Sequence, residues 1–143
     1  MFLSSGDSRD VFSGNHFADF TTELPELHNF GDSFDWAVAL TEVSFESASQ
    51  TSLPHGVVVL SDMVGRSFIR ERYAPVLRHI PSSLLSLSTS LFQPHYVALT
   101  TLRLKRVRLY LTDFDLQPIE IGGGNWDPSA VLRCTLHFKR VPV

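Results

Sequence analysis

The chain is 143 residues long, the length of one ordinary domain. Its residues are 43% apolar and 19% charged, which supports a packed core and excludes the low-hydrophobicity, high-charge composition of a disordered segment. Twelve bases against fifteen acids leave a net charge of −3, without the basic excess of a nucleic-acid coat.

The longest apolar run, Trp36 to Leu40, is five residues, whereas a membrane helix needs about 20. The opening Met1-Phe2-Leu3 has no basic stretch followed by an apolar one, so no secretory leader is expected. Cys134 stands alone, which removes disulfides within the chain and cysteine-based zinc sites together. Charge is divided along the chain. Residues 1–46 carry nine acids against Arg9, a sum of −8, and residues 47–143 carry +5. Either neighbouring copies meet acid to base, or the two parts pair within one domain.

In chain order, Phe2–Ser4 is a short strand candidate and Phe17–Leu24 a longer one. Trp36, Val38 and Leu40 share one parity while Val43 and Phe45 share the other. The strand there either slips around Thr41-Glu42 or is covered on both faces, with Ala37 and Ala39 packing on the second. Val57–Asp62 and Tyr73–His79 read as strands, and Met63–Arg72 as a turn or two of helix. Ser82–Ser90 is a loop with five Ser and one Thr in nine residues.

Tyr96–Thr100 and Leu102–Asp113 follow as strands. In the latter Leu102 and Leu104 oppose Val107, Leu109 and Leu111 in parity, which predicts a β-bulge near Lys105-Arg106. Pro118–Ile121 is a short piece before the Gly122-Gly123-Gly124 hairpin tip. Val131–Val141 is the clearest strand, with Leu132, Cys134, Leu136 and Phe138 alternating with polar residues. Cys134 accordingly reads as a small core residue. Short strands separated by turn signals such as Asn29-Phe30-Gly31-Asp32 predict one all-β domain over residues 1–143. Its expected form is an antiparallel, jelly-roll-like sandwich of about eight strands.

Residues that carry chemistry are present without a pattern that assembles a catalytic site. His16, His28, His55, His79, His95 and His137 lack metal-ligand spacing. Asp113, Asp115 and Asp35 are carboxylates in strand-end settings, read as solvated turns. The Gly122–Gly124 tip leads to another strand, so the helix N-terminus that favours a phosphate is missing. No cofactor, metal or catalytic residue is expected. Arg103, Lys105, Arg106 and Arg108 form the basic cluster, expected to split between faces across the bulge and to suit an acidic protein neighbour. Trp126, beside three glycines, is the candidate anchor, either folded back over its own core or filling a partner's pocket.

Several blocks resemble one family. Asn15, then Phe20-Thr21-Thr22-Glu23-Leu24-Pro25, then Trp36-Ala37-Val38-Ala39-Leu40-Thr41-Glu42-Val43 follow a pattern of virion-associated proteins from Polinton/Maverick elements and adintoviruses. Ser61–Val64, Ala74–Arg78, Phe92-x-Pro94-His95-Tyr96-Val97, Val107–Asp113 and Leu136–Arg140 match in order, so the likeness spans nearly the whole chain. One departure is Asp113-Phe114-Asp115-Leu116, more apolar than the family's turn; another is length, relatives being longer.

The resemblance implies a non-enzymatic capsid or capsid-associated protein in the virion, made in the host cell. It would act by self-association and by docking to other capsid proteins, without membrane insertion and with nucleic acid disfavoured as a partner. The rival expectation is a sandwich module that binds a host receptor or glycan.

Overall fold

The computed structural model of the protein describes residues 1–8, 10–31, 35–46, 56–69, 72–81, 89–90, 93–118 and 131–141. Its strands are β1 (Phe2–Ser4), β2 (Asp19–Asn29), β3 (Asp35–Glu46), β4 (Gly56–Ser61), β5 (Ser67–Ile69), β6 (Arg72–Ala74), β7 (Val76–Pro81), β8 (Thr89–Ser90), β9 (Val97–Ala98), β10 (Arg103–Thr112) and β11 (Val131–Val141).

Two antiparallel sheets pack face to face. One runs β1-β11-β3-β8, with β9 also pairing β3, and the other runs β2-β10-β4-β7. Setting aside the β5–β6 hairpin and β9, the ladders are nested. The first strand pairs with the last (β1 with β11), the second with the second last (β2 with β10), and β3 with β8 and β4 with β7 follow inward. The chain is thus laid out as one long hairpin that wraps into two sheets.

Alternation places the core between those sheets. Leu132, Cys134 and Leu136 on β11 are buried against Leu3 of β1, Val38, Leu40 and Val43 of β3, and Phe20, Val57, Val59, Val107 and Leu109 of the facing sheet. Each fully buried side chain of this kind contributes about 1.5–3 kcal/mol relative to exposure. Strand phase is kept by bulges. On β3, Glu42 pairs with Thr135 and Leu40 with Leu136, leaving Thr41 as the extra residue, and both expectations for this strand hold together. The slip sits at Thr41, and Ala37 and Ala39 are also buried on the second face.

On β10 the register breaks between Leu104 and Arg106, where the parity change places it. The larger excursion belongs to the partner. β2 spends Leu24, Pro25, Glu26 and Leu27 opposite Lys105 alone, and Lys105 Nζ donates to the carbonyls of Leu24 at 2.8 Å and Pro25 at 3.3 Å. Carbonyls freed from the ladder by the bulge therefore find a cation.

Three expectations change. The described residues of Met63–Arg72 hold no helix: Met63 and Val64 are buried, Val64 bridges to Leu99, and Ser67–Ile69 is strand. Tyr73–His79 is two strands broken at Pro75, because β6 turns back onto β5 while β7 joins β4. Ser82–Ser90 contains a two-residue strand at its end, β8.

A second, smaller core lies on the outer face of the β2-β10-β4-β7 sheet. Val58, Leu60 and Ala74 are buried there, with Val76, Tyr110, Phe114 and Leu116 packed against them. This explains the apolar turn after β10. Phe114 and Leu116 fold back onto the sheet, and Asp113 Oδ1 accepts hydrogen bonds from the Asp115 and Gln117 amides at 2.9 Å each. In the turn after β2, Gly31 has φ +84, a conformation that glycine adopts without strain, and its amide donates to Asn29 Oδ1.

Candidate functional site

Arg103, Lys105, Arg106 and Arg108 do not split between faces. All four are exposed, while Leu104, Val107 and Leu109 between them are buried. The bulge resets the alternation so that Lys105 and Arg106, adjacent in sequence, both face solvent. The cluster is therefore a coherent stripe on one side of β10.

Within the chain this stripe already meets acid. Arg108 forms a two-pronged pair with Asp19 and its guanidinium stands 4.3 Å from the centre of the Tyr110 ring. The side-chain hydrogen bonding that Arg108 donates to Asp19 raises the Arg108 pKa further above its ordinary range. Arg106 lies 5.4 Å from the centre of the Phe12 ring. A cleft of about 380 Å³ runs along the stripe and is lined by Glu23 and Asp62 as well as Arg103, Lys105 and Arg106. Charge here is mixed.

A second cleft, about 460 Å³, lies beside Asp19 and Arg108 and is lined also by His16, Tyr110, Thr112 and Leu116. His16 Nδ1 accepts a hydrogen bond from the Ala18 amide at 3.2 Å, and burial lowers the imidazole pKa against a smaller opposing pull from Asp19. A ring whose Nδ1 is an acceptor is in its neutral form. His16 thereby holds the approach to β2 in place.

The third cleft is the largest of the three, at about 780 Å³, and lies between the outermost strand β7 and the short β9. It brings together Val76, Arg78 and His79 from one strand with Gln93, His95 and Tyr96 from a segment that begins 15 residues beyond Arg78. The Tyr96 hydroxyl is 2.7 Å from His137 Nδ1, and Lys139 Nζ stands 3.9 Å from the centre of the Tyr96 ring. No sequence pattern points to this grouping, because the two segments become neighbours only when the sheets close.

Cys134 is buried and its thiol is pushed up to about 12 by burial, which keeps it protonated and unreactive. Asp113 serves as the turn cap described above, and His79 tilts against the Phe114 ring at 5.8 Å. Among the described residues no three His, Cys, Asp or Glu side chains group closely enough to hold a metal ion. Trp126 and the Gly122–Gly124 tip lie outside the described residues, as does the Ile119–Ile121 part of the last short strand.

No family model, curated protein or solved structure matches the chain.

Proposed function

We propose that the sandwich is a jelly roll and that the protein is a non-enzymatic structural component of a virus particle, working by self-association and docking to other capsid proteins. The nested pairing of β1 with β11, β2 with β10, β3 with β8 and β4 with β7 carries this reading. It is the pairing of a long hairpin rolled into two sheets, and eight-stranded jelly rolls of this kind build viral capsids as well as lectins. The ordered sequence blocks from Asn15 to Arg140 support the same assignment. The basic stripe on β10 is the surface offered to an acidic neighbour, with Arg103 and Arg106 its outward contacts.

The rival reading, recognition of a host receptor or glycan, draws support from the open groove between β7 and β9. Light-scattering mass across a concentration series separates the two. A discrete oligomer that weakens in high salt, and in the double variant Arg103→Glu/Arg106→Glu, is the expected result. A monomer at every concentration, unchanged by salt and absent from purified particles, overturns the structural reading.

A further inference from the structure

β2 is an edge strand of its sheet, and the segment before it, described for residues 7–8 and 10–16, covers the open side. The Leu111 amide donates to the Ala18 carbonyl, so residues 18, 20 and 22 address β10 while residues 19, 21 and 23 address the edge. All three of those outward amides are taken. The Asp19 amide donates to the His16 carbonyl at 3.2 Å, the Thr21 amide to Asn15 Oδ1 at 3.0 Å, and the Glu23 amide to Ser8 Oγ at 3.1 Å. Two of the three acceptors are side chains, so the segment masks the edge without adding a strand to the sheet. An edge masked in this way is withheld from pairing with another chain.

The mask is lightly held. Asp10, Val11, Ser13 and Gly14 are exposed, and Ser8 has φ 56, in the left-handed region that a β-carbon disfavours. A segment with so little burial opens at a smaller cost than the sheet beneath it. Its inner end is fastened at His16, whose Nδ1 accepts from the Ala18 amide at 3.2 Å and whose ring meets Phe17 edge-on. Around the cleft that His16 lines, the charged or titratable groups among the described residues are Asp19 of β2 and Arg108 and Tyr110 of β10. Leu116 and Pro118, from the turn after β10, add none, and Asp62 and Arg66 stand beyond, close to Arg108 and Tyr110. Both Asp19 oxygens are already engaged by Arg108. Burial disfavours the charged imidazole more than Asp19 favours it.

We propose that this segment is an acid-released strap: protonation of the His16 imidazole breaks its contact with the Ala18 amide and frees the segment, which uncovers the Thr21 and Glu23 amides on the edge of β2. A proton on Nδ1 turns the acceptor into a donor and sets it against the Ala18 N–H. The charged ring then leaves its half-buried place for water. Asn15 and Ser8, carried on the same segment, lose their hold on Thr21 and Glu23 as it moves. Phe12 moves with them and leaves the Arg106 guanidinium, now 5.4 Å from its ring centre, open to solvent. The strap thus joins the protonation of one side chain to the exposure of a sheet edge.

The test is amide hydrogen exchange of the intact protein, read by NMR at low urea concentrations from about pH 8 to about pH 5, where carboxylates largely keep their charge. Thr21 and Glu23 are expected to exchange faster than Leu109 of β10 and with little dependence on urea, because a local opening exposes little surface. Their protection, taken against the free-chain rate at each pH, should fall below the ordinary histidine value of 6.5. The fall is at most about tenfold per pH unit, the limit for one linked proton. His16→Asn and His16→Gln, neither of which titrates, are each expected to remove the fall, and an Asn side chain still accepts from the amide two residues on. Protection of Thr21 and Glu23 that does not change with pH in the parent overturns the proposal, as does a fall that persists in either variant. A urea dependence equal to that of Leu109 at every pH makes the opening global and overturns it too.

Discussion

Arg108 on β10 holds Asp19 on β2 with both prongs of its guanidinium, Nε to Oδ1 at 3.0 Å and Nη2 to Oδ2 at 2.8 Å. The pair joins the acidic beginning of the chain to its basic later part, so a portion of the charge division is neutralised inside the fold. Both side chains are about two-fifths exposed, at 45% and 41%, which limits what the pair contributes. Arg108→Glu is expected to lower stability in urea melts by about 1 kcal/mol. The swapped double variant Asp19→Arg/Arg108→Asp should recover most of that loss. A swap no better than the single change would show that the pair is ornamental.

The two faces of β11 differ sharply in tolerance. Leu136→Asp places an unpaired carboxylate among Leu3, Val38 and Leu40 at a cost of several kcal/mol, and should abolish the cooperative melt. Thr135 lies on the opposite face, paired with Glu42. Thr135→Lys is therefore expected to be tolerated, whereas Thr135→Asp would set two carboxylates against each other. Circular dichroism of the three variants checks the order.

Asn15 substitutes for a missing strand beside β2. Its Oδ1 accepts from the Thr21 amide at 3.0 Å, and its Nδ2 donates to the Thr21 carbonyl at 2.8 Å and to that of Asp7 at 3.2 Å. Asn15→Asp removes the donor and turns carboxylate oxygen toward two carbonyls. It should destabilise the protein by about 1–3 kcal/mol, the cost of an unmet polar group. Slower exchange of the Thr21 amide in the variant than in the parent would contradict this.

Cys134 links stability to high pH. The unfolded thiol loses its proton near 9 and the folded one at about 12, so across that interval the folded state binds the extra proton and stability falls as pH rises. Below the lower value the contribution is fully present. The slope is at most about 1.4 kcal/mol per pH unit. The difference between parent and Cys134→Ala melts, taken from pH 8 upward, isolates it. The thiol should also resist alkylation until the protein unfolds.

His16 gives the opposite dependence. Burial lowers its folded pKa below the ordinary 6.5, so the unfolded chain binds the extra proton and stability falls as pH drops below that value. His16→Asn should flatten the acid side of the stability profile in melts taken from pH 7 downward.

Period-two alternation is a local property, and it was legible wherever one face of a strand is buried. β11 matches its expected bounds, and β1 does too. The bulges at Thr41 and at Lys105-Arg106 were also readable, because a parity change between two apolar sets can only be absorbed by an extra residue. Met63 and Val64 misled, since a short apolar pair fits a helix or a covered loop equally well. The basic stripe was visible as composition, but its placement on one face depended on how the bulge reset the strand.

The sequence by itself determined the all-β class, most strand positions, the two phase slips and the burial of Cys134, because these follow from side-chain alternation along a pleated backbone. Tertiary structure alone decided which strands pair and what meets across the sheets. The β1–β11 ladder joins residues 2–4 to residues 133–135, and no local pattern encodes a partner at that separation. The same closure brings Arg78 to Gln93 and Tyr96 to His137. Such contacts exist only once the hairpin has wrapped, since burying the shared core fixes both sheets at once and brings distant segments together at their edges.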